Sequence, residues 1–237
     1  MDLSRYDNTS SATIKIGSTV VVCLLHGDIV SPSKDRPNEG VISFAADVSF
    51  QTERQARHNS INDSDICRML ERSVKESDAI DMESLCVAAG EKVWYLKCHV
   101  NVLDGSGGNL LDACCLAAIG ALRAYRKAEV GFVNDVGVGS SDNSNPQQLK
   151  VYSSDEKECL PLALHHTPLT VSFAIFTGIG GSSSSSSASV DSDITILVAD
   201  PSPEEENVMD GRISYSVNAH KELCGIHKPG YGSLTTE

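Results

Sequence analysis

A chain of 237 residues that is 41% hydrophobic and 22% charged carries enough apolar material for one large or two small globular cores. Its formal net charge of −13 excludes a free-standing nucleic-acid binder, which needs clustered Lys and Arg to neutralise phosphates, but leaves room for a local basic patch or a basic partner. Aromatic residues make up only 5%, so no base-stacking platform for single strands is advertised. In chain order, residues 13–16 and 19–25 read as two strands around Gly17-Ser18, a two-residue hairpin turn. A polar loop with two prolines fills 31–40, and the alternating residues 41–50 form another strand. Residues 51–62 are polar and locally basic, with Arg54, Arg57 and His58. Arg54 and Arg57 could grip phosphates or simply be exposed charges before a helix at 63–76, whose apolar face is Ile66, Met69, Leu70 and Val74.

The next stretch organises the chain. From 93 to 103 the residues alternate, with Trp94, Leu96, Cys98, Val100 and Val102 on one face of a half-buried strand. Asp104-Gly105-Ser106-Gly107-Gly108 breaks it, since successive glycines reach dihedrals that other residues avoid. Asn109 is a candidate N-cap for a helix at 110–125, with Asp112 at its positive end and small residues such as Ala113, Ala117 and Ala121 allowing close approach to a sheet. Beyond it, 131–148 is a Gly/Ser/Asn/Asp-rich irregular loop, although 149–152 has the composition of a short strand. Strands are predicted at 169–176, 194–198, 213–217 and 223–226, and a Gly/Ser-rich insert at 178–192 carries six consecutive serines and is expected to be disordered. The pattern is that of an α+β protein, read here as a single domain over 1–237.

Several constellations could carry chemistry. The turn 104–109 could cradle an anion, but it matches neither GxGxxG nor GxxxxGK[ST], and no basic residue follows before Arg123. Cys114 and Cys115 are adjacent on a helix and cannot both face one partner. His165 and His166 lack a Cys or carboxylate at ligand spacing, and the acidic run Asp200, Glu204, Glu205, Glu206, Asp210 could hold Mg²⁺ or be a solvated loop. None of the eight cysteines forms a CxxC pair, which favours reduced structural thiols in an intracellular protein. No nucleophile stands beside a base, so a stand-alone Cys or His hydrolase is disfavoured. No signal-like N-terminus and no apolar run of about 18 residues is present, and a soluble protein is expected.

Residues 81–87 (DMESLCV), 89–94 (AGEKVW) and 108–113 (GNLLDA), with Leu164-His165-His166-Thr167-Pro168, Val208-Met209-Asp210-Gly211 and His227-Lys228-Pro229-Gly230, resemble the ring subunits of the RNA exosome. The resemblance implies an RNase PH-like fold (ribosomal protein S5 domain 2-like), a mixed sheet packed by helices. It also implies a place in a six-membered ring that threads single-stranded RNA, partners among the other RNase PH-like subunits and the S1/KH cap subunits, no membrane, and residence in the nucleus, nucleolus and cytoplasm. Active members of the family hold phosphate with an Arg in the turn before the long helix, whereas here the turn has no Arg and Asp112 stands near its place. Active members also carry Glu-Glu-Asp with an Asp six residues on; the matching stretch here is Glu204-Glu205-Glu206 with Arg212. The expectation is an inactive subunit with no catalytic residue, no metal and no cofactor, and with RNA contacts at Arg54 and Arg57; the alternative is an active phosphate-dependent 3′-to-5′ exoribonuclease. Both ends are shorter than the family pattern, which lacks here its opening Asp-Gly-Arg segment and closing helix, so exposed sheet surface and reliance on ring neighbours are expected.

Overall fold

The computed structural model describes residues 2–6, 8–48, 61–133, 148–177 and 195–229. Fourteen strands occur among them: β1 (Asp2–Tyr6), β2 (Thr9–Ile16), β3 (Thr19–Val30), β4 (Val41–Asp47), β5 (Cys86–Ala88), β6 (Lys92–Asp104), β7 (Arg126–Lys127), β8 (Val130–Val133), β9 (Gln148–Val151), β10 (Leu160–Pro161), β11 (Leu169–Thr177), β12 (Thr195–Ala199), β13 (Gly211–Val217) and β14 (Leu223–His227). The helices are α1 (Asp63–Leu70), which runs directly into a π-helical turn (Glu71–Glu76), then α2 (Leu110–Ala124) and the short α3 (Pro203–Val208).

The first sheet has the order β1-β2-β3-β6-β4, with β5 paired to β6, and is antiparallel except for the parallel pair β4–β6. The second is antiparallel throughout, in the order β12-β11-β13-β14. This is the predicted α+β architecture, and β2, β3 and β6 sit where the alternation placed them, extended by a few residues. The predicted helix at 63–76 is one continuous element whose second half widens into the π form. Its core side, Ile66, Met69, Leu70 and Val74, is buried as expected.

Two corrections concern 131–148 and the acidic run. Residues 131–133 and 148 are not irregular: β8 and β9 pair as an antiparallel hairpin, with Phe132 opposite Leu149. Glycine and serine content hid the strand, because Gly131 sits where the Tyr152 ring covers it and needs no side chain. The run at 203–208 is a helix started by a capping box, in which Ser202 and Glu205 satisfy each other's backbone N–H groups. The predicted insert at 178–192 and both Arg54 and Arg57 lie outside the described residues.

Eleven of the fifteen residues of α2 are buried, too many for a helix with only one covered face. It is covered on one side by β2 and β3 and on the other by β11 of the second sheet. Ser10 Oγ donates to the Ala121 carbonyl at 2.8 Å and ties β2 to the helix. The inner faces of both sheets therefore share one layer of helix. Among the described residues, the outer face of the second sheet is left apolar and open: Leu169 and Leu223 are 50% and 55% exposed, beside Val171, Val217 and Ile226. None of the eight cysteines is in a disulfide.

Close approach decides one position in this core. A Cβ at Gly27 of β3 would penetrate the Tyr125 hydroxyl, which is buried at the end of α2 and has no hydrogen-bond partner among the described residues. Gly27→Ala is expected to cost about 1–3 kcal/mol by overpacking. Tyr125→Phe removes an unsatisfied hydroxyl and should cost little. Urea denaturation of the double variant is expected to show a smaller Gly27→Ala effect than in the parent chain, and equal effects would disprove the contact.

Candidate functional site

The turn between β6 and α2 is gripped from two sides. Thr19 Oγ1, at the start of β3, donates to the Gly108 carbonyl at 2.9 Å. Gly108 has φ of +75°, and a Cβ there would come within 3.0 Å of the Pro201 carbonyl, so the loop leading to α3 lies directly against the turn. This brings α3 and the N-terminus of α2 together.

Asn109 occupies the position before α2 in the left-handed region, at φ 46°, and its side chain does not cap the helix. The predicted cap is corrected for a physical reason: the Asn109 backbone is left-handed where a capping residue is extended, and the amide oxygen that would accept from the first turn finds no partner among the described residues. Its Nδ2 donates to Asp112 Oδ2 at 2.9 Å and to Asp200 Oδ1 at 2.6 Å, and its backbone N–H donates to Glu206 Oε1 at 3.0 Å. The same Glu206 oxygen accepts from Arg212 Nη2 at 2.6 Å. Arg212 projects from the inner face of β13, and its side chain is only 4% exposed. On the far side of Asp112, the Ser172 backbone N–H and hydroxyl donate at 2.9 and 2.7 Å, and Ser172 Oγ lies 2.8 Å from Ser214 Oγ.

Electrostatics follow from burial. Burial raises the Glu206 carboxyl above its ordinary range, with Arg212 and the Asn109 N–H working against that rise. Burial likewise lowers the Arg212 guanidinium's pKa, opposed by Glu206 and Asp112, so on both partners desolvation outweighs their mutual attraction. Asp112 is also raised, first by burial, with its bonds to Ser172 and Asn109 opposing. Three carboxylates thus converge on one amide and one guanidinium, and the helix terminus that could receive an anion already faces Glu206.

The remaining acidic residues are dispersed. Glu205 caps α3, and Asp210 accepts from both the N–H and the hydroxyl of Thr177, which hold its carboxyl below the usual range. Among the described residues no three His, Cys, Asp or Glu side chains gather into a metal-ligating set. Cys114 and Cys115 are buried in α2, and desolvation pushes the Cys115 thiol up to about 12.

His165 and His166, in the segment between β10 and β11, do separate. His165 lines a cleft of about 790 Å³ between the 31–40 loop and residues 75–83, together with Arg36, Glu39, Lys75 and Asp78, and none of the site residues reaches it. The ring of His166 lies 3.2 Å from Ser77 Oγ and 3.5 Å from Cys224 Sγ. Sequence reasoning missed this nucleophile–base pair because 58 positions separate its members. Burial raises the Cys224 thiol, so the pair is not an activated nucleophile.

The model described as 3′ exoribonuclease family, domain 1, matches residues 5–127, and that of domain 2 matches residues 166–237. The chain belongs to the RNase PH family. It is 36% identical over 226 residues to exosome complex component RRP45A of Arabidopsis thaliana, which covers 93% of this chain and 64% of that one. To exosome complex component RRP45 of Homo sapiens it is 33% identical over 227 residues, covering 92% and 44%. The chain therefore spans less than two thirds of the length of either relative. The RNase PH-like fold is matched by a chain of the Archaeoglobus fulgidus exosome with RNA bound to the active site, with a TM-score of 0.66, 25% identity, and 96% and 74% coverage. A chain of the archaeal exosome core matches with a TM-score of 0.64 at 26% identity, covering 96% and 72%. The expected α+β, RNase PH-like class is thereby established, as is the family resemblance read from the sequence.

The ion pair makes the site testable. Arg212→Met strands Glu206 in a buried position and is expected to destabilise the chain by about 3–5 kcal/mol, whereas adding Glu206→Gln recovers most of the loss. Thermal or urea unfolding of the single and double variants checks this, and additive losses would rule out the coupling.

Proposed function

We propose that the chain is a non-catalytic structural subunit of an RNA exosome ring, where it helps to thread single-stranded RNA for 3′-to-5′ degradation and processing. The observation that carries this reading is the Glu206–Arg212 ion pair, joined through Asn109 to Asp112 and Asp200. In this family the same region, the turn before the long helix and the carboxylates of the short helix, is where the resemblance puts phosphate and acid–base chemistry. Here a phosphate approaching the turn meets three carboxylates, and the one nearby guanidinium among the described residues is held by Glu206. A guanidinium at 212 cannot supply a proton in the way a carboxylic acid can, and loss of such a group alone typically removes about 10²–10⁴ in rate.

The similarity to RRP45 components supports partners among the other RNase PH-like ring subunits, and by extension the S1/KH cap subunits and RNA. The open apolar face of the second sheet suits a subunit that works inside an assembly. Arg54 and Arg57 are the proposed RNA contacts, and the nucleus, nucleolus and cytoplasm the proposed locations. No helix among the described residues is long and apolar enough to cross a membrane.

The decisive experiment pairs affinity purification with an activity assay. Ring subunits are expected to co-purify, and the purified chain is expected to release no nucleoside diphosphate from RNA in the presence of phosphate. Phosphate-dependent release would establish the active exoribonuclease instead, and recovery of the chain without any ring subunit would overturn the assignment. Within the assembled ring, Arg54→Ala with Arg57→Ala is expected to reduce RNA crosslinking to this subunit while leaving ring composition unchanged.

A further inference from the structure

A further buried titratable group lies beside the site, where β14 meets α1 and the π-helical turn. His227 is the last residue of β14, opposite Ser214 of β13, and is 5% exposed. Its Nε2 stands 3.6 Å from Asp65 Oδ1 of α1, too far for a hydrogen bond, and its Nδ1 has no partner among the described residues. The charged groups facing it are Asp65 and Arg68 from α1, Arg72 from the π-helical turn and Arg212 from β13. Among the described residues, Asp65 is thus set against the guanidiniums of Arg68 and Arg72, while Arg212 is already paired with Glu206.

The contacts around the ring are those that fasten β14 to the first half of the chain. Arg72 Nη1 donates to the Ile226 carbonyl at 2.8 Å, and Gly225 lies against the Arg72 backbone and Cβ. Cys224 reaches the His166 ring, which in turn touches Ser77 just after the π-helical turn. A neutral imidazole tolerates this closed seam. An imidazolium would add a positive charge beside Arg68 and Arg72, on a ring too buried to be solvated freely.

We infer that His227 is an acid-sensitive latch that holds β14, and with it the edge of the second sheet, against α1 and the π-helical turn. Burial is the main force lowering the pKa of His227 below 6.5; Asp65 opposes it, and Arg72, Arg68 and Arg212 add to the lowering. The unfolded or detached strand thus binds more protons than the docked one. Stability from this group is complete above the unfolded value and is lost as the pH falls through 6.5 towards the lower docked value.

The test uses the full chain. The His227 ring is followed by NMR titration, and amide exchange of residues 223–227 is compared with that of β6 at about pH 7.5 and about pH 5.5, after correction for intrinsic exchange. The expected result is a His227 midpoint below that of a free imidazole, and a loss of protection at acid pH confined to β14 and its contacts. In His227→Gln that selective loss should vanish. A midpoint at or above the free value, or loss of protection in β14 and β6 alike, overturns the proposal, and both readings on the unaltered chain stand even if the variant does not fold.

Discussion

A helix that is apolar on every side must be covered on every side, and α2 imposes that demand on the whole molecule. One sheet cannot meet it, so the second sheet is recruited, and β11 closes over the face that β2 and β3 leave bare. Small side chains along α2 make both approaches close, which is why Ser10 can reach the backbone of Ala121 from the far sheet strand. The polar residues at the head of the helix follow from the same geometry. Where β11, α3 and β13 converge on its first turn, their side chains are drawn out of water and must satisfy one another.

The site at that convergence is a set of mutual compensations among buried polar groups. Glu206 neutralises the buried N-terminal end of α2 through the Asn109 backbone N–H and holds Arg212 with the same oxygen. Asp112 is anchored by Ser172 across the interface between the sheets. Through Ser172 and Arg212 these contacts rivet the two sheets together.

Much of this was legible in the chain because local rules suffice for it. Period-two alternation located β6, helical spacing located α1 and α2, and the capping and turn residues marked their ends to within a few positions. Residues 131–133 escaped because a glycine beneath an aromatic ring looks like a loop in sequence. The pairing of Glu206 with Arg212 was half visible, since the substitution of an acid by arginine six residues on could be seen, but its partner could not. The links of Asn109 to Asp200 and of Cys224 to His166 span 91 and 58 positions, and no periodicity reports contacts of that separation.

The shared oxygen of Glu206 also acts as a ratchet. A change at 212 towards an acid would set a fourth carboxylate beside Asp112, Asp200 and Glu206 and unpair the buried one. The fold would loosen, so positions 206 and 212 are bound to change together, each held in place by the stability the other supplies.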